Sequence, residues 1–507
     1  MSHLAIAPIL LPLLAGVILL LLRPLGLGVR RGVSLAAVLA LLVVALTLLN
    51  AVRDGQYLVY ALGNWPAPFG IVLVADRLAA WMVLITALLA LCVLLYANRG
   101  ADSAGRHFHV LFQLQLFGLN GAFLTGDLFN LFVFFEILLL ASYGLLLHGG
   151  GRLRTRAGLH FVVINLAGST LFLFAVGTLY GVVGTLNMAD LAQKITHVAP
   201  EHLGLVHASG LLLFGVFALK AAVLPLHLWL PAAYANTSAP VAALFAIMTK
   251  VGAYSILRVD TLIFGAQAGA SARLIGEWLL PLALITLTVG MLCVVASTAL
   301  RQQVSYLVVA SVGSLLIAFS LGSSAGIAAG LYYLPHTTFA TAAFFLLADS
   351  ITVRRGEYMD RFEPKAVLPD RQLLGGLFFV AAVLVAGLPP LSGFLGKFLT
   401  LRATLEHPAM PWIMSVILVT SLLGMIAMAR SGSILFYRSQ PAAAGQRAPL
   451  MELSRELLPM TGLLLLCLGL VIWAGPAHEF AHAAAGQLLQ PQNYIQAVLG
   501  PVPGGTP

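Results

Sequence analysis

The stretch 217-FALKAAVLPLHLWLPAAYANTSAPVAALFAIMTKVG-252 sets two lysines, Lys220 and Lys250, inside apolar runs long enough to cross a bilayer. Between them lies a helix break carrying Pro225, Pro231 and Pro240. A lysine at the centre of a membrane helix costs about 2.5–3.5 kcal/mol on insertion scales, so intramembrane cations mark an ion or proton pathway by default. The competing readings are a structural ion pair and a snorkelling side chain. Both lysines are expected well away from their helix ends, which favours the pathway.

Working outward, the whole chain has the same character. Of its 507 residues, 60% are hydrophobic and 9% charged, against about 25% charged in a soluble domain. Mean hydropathy is +0.98. The chain therefore reads as an all-α polytopic membrane protein in contact with the lipid bilayer. Its formal net charge of +9 is no nucleic-acid signal, because the basic residues stand singly in short loops. The three cysteines, Cys92, Cys293 and Cys467, lie in apolar runs without CxxC spacing, so neither a disulfide framework nor a metal site is expected. No charged region precedes Leu4, and the first apolar run reads as a membrane helix, not a cleaved signal.

At about twenty apolar residues per crossing, fourteen spans are expected: 4–22, 33–50, 76–97, 108–126, 127–147, 157–185, 204–230, 239–264, 276–298, 302–322, 325–350, 372–405, 411–437 and 456–475. The odd-numbered loops hold eighteen of the 27 lysines and arginines, including Lys365, Arg438 and Arg447. The even loops and span edges hold six: Arg53, Arg77, Lys194, Arg258, Arg273 and Arg402. The remaining three, Lys220, Lys250 and Lys397, fall inside spans. The positive-inside rule then makes the odd loops cytoplasmic and puts both termini outside. Residues 56–75 alternate around a Gly-Asn-Trp-Pro break and predict a short outer hairpin. Residues 187–198 predict a short interfacial helix. The tail after Pro476 is too short for a long lateral brace.

Spans 4–8 and 9–13 echo one another, each a set of five with a proline-broken fourth member. The breaks are at Pro225 in span 7 and at Pro389 and Pro390 in span 12. Five is odd, so two such units in series are inverted in the membrane, the arrangement that points to a transporter's ion path. The expected organisation is helices 1–3 over 1–107, a first repeat over 108–264, a second over 276–437, and helix 14 with the tail over 456–507.

Glu136, in LFNLFVFFEILLLASYG, is the one glutamate well inside a span. Alone it would be neutral; Lys220 is the natural partner that makes both burials tolerable. That pair is either static or switchable by a proton arriving nearby. Lys220, Lys250 and Lys397 form a possible series, since desolvation disfavours a lysine's charge and lets it exchange a proton near neutrality. Water is required between them. His336, just after Pro335, reads as a proton relay or as a hydrogen-bonded core histidine. His227 reads as the point where a proton enters or as a packing residue. Asp127 reads as an N-cap, Asp260 and Asp349 as interface-facing, Lys194 and Arg402 as surface charges. Walker A, GxGxxG, HExxH and GxSxG patterns are absent, so no cofactor, metal or catalytic residue is expected.

The blocks GDLFNLFVFFEILLLASYGLL (126–146), NLAGSTLFLFAVGTLYGVVGTLNMADL (165–191), LKAAVLPLHLWLPAAYANTSAPVAALFAIMTKVGAYSILR (219–258) and GLPPLSGFLGKF (387–398) resemble the antiporter-like subunits shared by Mrp-type cation/proton antiporters and respiratory complex I. The likeness covers roughly residues 70–435. The GDLFNLFVFFEI block is most similar to the D subunits of the multisubunit Na+/H+ antiporters. The resemblance implies fourteen helices with two inverted five-helix units. It implies that Glu136 and Lys220 are the coupling pair, Lys250 the bridge to the second half, and His336 and Lys397 the second-half relay. Many relatives carry a lysine where Ala340 stands, and a histidine or glutamine near the position of Ser311. On this reading the chain is an inner-membrane subunit of an antiporter exchanging Na+ (or K+ or Li+) for protons, working beside other hydrophobic subunits on the proton motive force. The alternatives are a proton-pumping subunit of a complex I-like or hydrogenase-like redox complex, and a non-transporting structural subunit.

Overall fold

The computed structural model describes residues 2–363, 368, 370–437 and 450–500; Lys365, Arg438 and Arg447 lie outside them. In chain order the described elements are α1 Ala7–Leu21, α2 Leu27–Val52, strands β1 Leu58–Ala61 and β2 Val72–Ala75, α3 Arg77–Ala97, α4 Phe108–Leu124, α5 Leu128–Leu147, α6 Arg152–Val183, α7 Met188–Lys194 and α8 Leu203–Ala221. Then come α9 Trp229–Asn236, α10 Ala239–Phe245, α11 Met248–Leu262, α12 Gly276–Ala296, α13 Leu300–Ser320, α14 Ser324–Arg355, α15 Arg371–Ala386, α16 Ser392–Ala403, α17 Met410–Gly432, α18 Leu450–Ile472, α19 Ala474–Leu488 and α20 Pro491–Leu499.

The helices start where the sequence supplies a side chain for the orphan first-turn amides. Asp76 accepts from Ala79 N (2.9 Å) ahead of α3, and Asp127 from Asn130 N (2.8 Å) ahead of α5. Asn187 caps α7 and Ser323 caps α14. The strands pair antiparallel with Leu58 opposite Ala75, within the alternating segment 56–75. Beyond the hairpin, Leu73 bridges to Thr125, and Asp127 to Asn187, so one small extended patch gathers the starts of α5 and α7.

Among the described residues, ten helical stretches are long and apolar enough to cross a membrane, or eleven if α18 and α19, which meet at 81°, are one span. The difference from fourteen lies partly in α1, α4 and α15, which have 15, 17 and 16 residues. At 1.5 Å per residue each is about 22–26 Å long, short of a hydrocarbon core of about 30 Å. The centre of the bundle is α10 and α11, whose stretch is wholly buried, with α13 and α14 beside them. α2, α6, α12 and α17 form the periphery and expose rows of leucine, valine and phenylalanine.

Several charges sit differently from their sequence reading. Arg258 is not an edge charge but a 4% exposed member of α11. It is held by Asp76 through two bonds of 2.6 and 2.8 Å. Asp349, near the end of α14, stays partly exposed while binding Tyr96 (2.9 Å) and Arg301. Asp260 lines a cavity at the end of α11 with Oδ1 buried. Lys194 and Arg402 are surface charges, Lys194 paired to Asp190 at 2.8 Å.

Candidate functional site

Two helices end in mid-run for the same reason. Ala222 and Gly387 both adopt left-handed backbone, φ +59° and +76°, which turns the chain out of the helix and returns amides to its last carbonyls. At the first break, Ala222 N bonds Leu219 O (3.0 Å) and Val223 N bonds Ala218 O (2.8 Å). The remaining groups find partners across the break. Leu224 N donates to Thr286 Oγ1 of α12 (3.0 Å), and the Trp229 indole donates to Leu219 O (3.0 Å). At the second break Gly387 N and Leu388 N both reach Val383 O at 3.1 Å.

A third interruption has no proline at it. Between α10 and α11, Ala246 N bonds Ala243 O and Ile247 N bonds Leu244 O, the tighter i→i+3 pattern of a hinge. Lys220 therefore lies in the last turn of α8 and Lys250 in the first turn of α11. This corrects the expectation that both are remote from helix ends: they are deep in the protein, 5% and 0% exposed, but each stands at a break.

Glu136 and Lys220 meet through α6. The Glu136 carboxylate accepts from the Ser169 hydroxyl. One turn earlier on the same helix, Asn165 receives Lys220 Nζ on its backbone O and its Oδ1, both at 3.3 Å. Among the described residues no ion pair joins Glu136 directly to Lys220; the link is made by the Ser169 and Asn165 side chains of α6. Lys250 Nζ lies 3.4 Å from Ser311 Oγ, which is itself turned to Val308 O.

In the other half, His336 Nδ1 pairs with Ser392 Oγ at 2.9 Å, at the start of α16. Pro335, one residue earlier, cannot donate to Leu331 O, and the Trp81 indole fills that vacancy (3.1 Å). Lys397 Nζ donates to Ala386 O (2.9 Å) and Ser421 Oγ (3.0 Å). A cavity of about 30 Å³ touches Ser311, Tyr333, His336, Ala340, Lys397 and Ser421 together, room for one or two waters. Gly393 is obligatory beside it: a Cβ there would meet Leu384 O at 2.0 Å and the His336 ring at 3.0 Å.

The structure thus gathers His336 and Lys397 around one cavity, brings Lys250 to its wall through Ser311, and links Glu136 with Lys220 through α6. His227 is buried in the turn after the first break, and among the described residues its Nδ1 bonds to nothing. Sequence reasoning passed over Asn165, Ser169, Ser392 and Ser421. The signal was present for the first two, polar residues four apart in an apolar run.

Residues 125–424 match the family described as NADH:quinone oxidoreductase/Mrp antiporter, TM. That is more than half of the chain. The chain belongs to the NADH:quinone oxidoreductase/Mrp antiporter membrane family. Among curated members of this family, it is 42% identical to the D subunit of a probable K+/H+ antiporter from Rhizobium meliloti, covering 98% of both chains. It is 37% identical to the D subunit of a Na+/H+ antiporter from Alkalihalophilus pseudofirmus, covering 98% of this chain and all of the other. A chain in the solved Mrp complex from Dietzia sp. superposes with a TM-score of 0.85 at 28% identity, over 98% of this chain and 99% of that one. This chain is therefore a multi-pass member of a membrane family whose named relatives include antiporter subunits.

Proposed function

We propose that this chain is a D-type subunit of a multisubunit monovalent cation/proton antiporter in a bacterial inner membrane, exchanging Na+ or K+ for protons on the proton motive force. Other hydrophobic subunits of the complex work beside it. The observation that carries the reading is that Lys220, Lys250 and Lys397 each stand at a break in the helical path, held by hydroxyl, amide and carbonyl groups. Such neutral partners accept a hydrogen bond from a charged lysine without trapping it in an ion pair. A proton can therefore leave at modest cost, whereas a carboxylate contact would hold it.

In this proposal Glu136 and Lys220 are the coupling pair, and its polarity passes through Ser169 and Asn165. Lys250 bridges to the second half, and His336 and Lys397 carry the proton there, with water in the shared cavity. His227 is where a proton enters the first half. The chain crosses fourteen times, with α15 and α16 counted as one broken crossing. Helices 1–3 span residues 1–107, the two inverted five-helix repeats span 108–264 and 276–437, and helix 14 with the tail spans 456–507. Both termini are outside. The concentration of lysine and arginine in the odd-numbered loops supports that orientation.

The test is antiport in everted vesicles bearing the assembled complex, followed as collapse of the pH gradient on adding Na+ or K+. Glu136→Ala and Lys220→Ala should abolish the collapse with normal assembly. Lys220→Arg, which keeps the charge but scarcely deprotonates, should also abolish it. Full activity in the assembled Lys220→Arg complex would overturn the proton-carrying role.

A further inference from the structure

At the end of the bundle where α13 finishes, α14 begins and α16 finishes lies a cavity of about 650 Å³. Its polar wall is Ser323, Arg402, Glu406, His407, His478 and His482. None of these takes part in the path above. Among the described residues nothing pairs with the Arg402 guanidinium, and His478 Nδ1 is buried without a partner. His482 Nε2 makes one long contact, 3.4 Å, with Ser324 Oγ. Ser323 and Ala325, in the cavity wall, flank the start of α14, a helix of 32 residues. The positive end of that helix adds to the field of the arginine and the imidazole N–H donors. So far the chemistry asks for a phosphate.

Glu406 makes the request more specific. A carboxylate in the same wall repels a free phosphate, but it matches an ammonium tethered to one. The rest of the wall is apolar, with Leu321, Leu399 and Leu405, and α17 next to it exposes Leu418 and Leu422. The depth is also marked. Trp412 follows His407 closely, Trp473 precedes the helix that carries His478, and both are largely exposed. A second cavity, of about 590 Å³, shares Leu321, His407 and Pro408 with the first and reaches Glu277, beside exposed Trp278. Three exposed tryptophans at one end of a bundle define the headgroup level of the membrane.

We infer that this cavity binds the headgroup of a zwitterionic aminophospholipid. The phosphate faces Arg402, His478 and His482, and the primary ammonium faces Glu406. The acyl chains leave along Leu405 and the α17 face. The site is independent of the transport reading and orders lipid at the junction of α14, α16 and α19.

The experiment uses the purified complex in nanodiscs of phosphatidylglycerol alone or mixed with phosphatidylethanolamine, read by lipid retention in native mass spectrometry and by thermal unfolding. Phosphatidylethanolamine should be retained in preference and should raise the unfolding temperature. Arg402→Gln should lower its retention about tenfold, the size of one lost charge-assisted hydrogen bond. Glu406→Gln should erase the preference over phosphatidylglycerol while leaving phospholipid bound. Should Arg402→Gln fail to assemble, His478→Asn with His482→Asn tests the phosphate side with the same expectation. Equal retention of both lipids by the unmodified complex, or unchanged retention in the variants, overturns the proposal. Soluble phosphoethanolamine or inorganic phosphate stabilising as well as the lipid would do so too, assigning the cavity to a free anion.

Discussion

Lys397, carried on the helix after the second break, donates to the carbonyl of Ala386 at the end of the helix before it, at 2.9 Å. The first half reaches the same end by another route. Lys220 is part of the last turn of the helix before its break, and the neighbouring Leu219 carbonyl is taken by Trp229. Both cations therefore stand at the negative end of a broken helix, although one precedes its break in sequence and the other follows it.

Removing the Lys397 cap should thus have two separable effects. Lys397→Met leaves a buried carbonyl without its charged donor and should cost about 1–3 kcal/mol of stability. Lys397→Arg keeps a donor and a charge and should restore most of that stability. Antiport should be lost in both, because neither side chain exchanges a proton. Thermal unfolding of the complex and vesicle antiport, measured on the same preparations, check the split. Antiport surviving in Lys397→Met would remove Lys397 from the path.

The contact between Glu136 and Lys220 runs through α6, so the bridge should matter as much as its ends. Ser169→Ala and Asn165→Ala should each slow antiport by about tenfold, the equivalent of one hydrogen bond to a charged group. Combined, they should show less than additive loss, because either one already breaks the bridge. Additive losses in the double-mutant cycle would mean that the two residues act separately.

α11 crosses α8 at Gly252, where an added Cβ would fall 2.4 Å from Ala221 N and 2.8 Å from Phe217 O. The clash is with backbone that cannot yield easily. Gly252→Ala should destabilise by about 1–3 kcal/mol, the usual cost of overpacking, and should push α8 with Lys220 off α11. The expected readout is reduced assembled complex in the membrane, with antiport falling further than the amount of complex does.

Much of this architecture was legible in the chain. Among the described residues, apolar length marked ten or eleven of the fourteen expected spans as helices long enough to cross, and alternation about Gly63-Asn64-Trp65-Pro66 marked the hairpin. Prolines 225, 389 and 390 marked two breaks. The hinge between Phe245 and Met248 was not legible, because no proline or glycine stands there and the backbone alone tightens. Nor were the partners. A sequence shows that Asn165 or Ser311 is polar within an apolar run, but not which helix it faces. Arg258 looked like an edge charge because counting basic residues along the chain cannot see Asp76, 182 positions away. The Trp81 indole on the Leu331 carbonyl is likewise a tertiary answer to a local defect created by Pro335.

The turn before α4 offers a pH test outside the spans. Asp102 is bound by Arg31 at 2.6 and 2.8 Å and by His109 at 3.1 Å. Burial pushes its carboxyl up, but the hydrogen bonds and charges of Arg31 and His109 outweigh that and hold it well below the usual carboxylate range. A group whose folded pKa is depressed contributes stability above its unfolded value, about 3.9, and loses it as pH falls toward the folded one. Asp102→Asn should therefore be less stable than the parent at pH 7, with the gap narrowing below about pH 4. A gap that stays constant from pH 7 to pH 3 would exclude the ionised carboxylate as its source.

Asp76 and Arg258 join the start of α3 to the end of α11. The carboxylate does three jobs, since it caps α3 through Ala79 N and receives both arms of the guanidinium. Around the arginine stand the Tyr254 and Tyr494 rings, with centroids 5.5 and 5.6 Å from its Cζ. Both ions are almost fully buried, so removing one strands the other. Arg258→Met or Asp76→Leu alone should cost about 3–5 kcal/mol. The double replacement removes both charges and leaves only the lost cap, about 1 kcal/mol, so it should be more stable than either single variant. Arg258→Lys should not rescue, because an ammonium cannot match both carboxylate oxygens with paired donors or stack on two tyrosines. Since α11 carries Lys250, the single variants should also lose antiport, and the double variant should regain it along with assembly. If the double variant assembles normally but stays inactive, the pair has a role in transport beyond holding α11 in place.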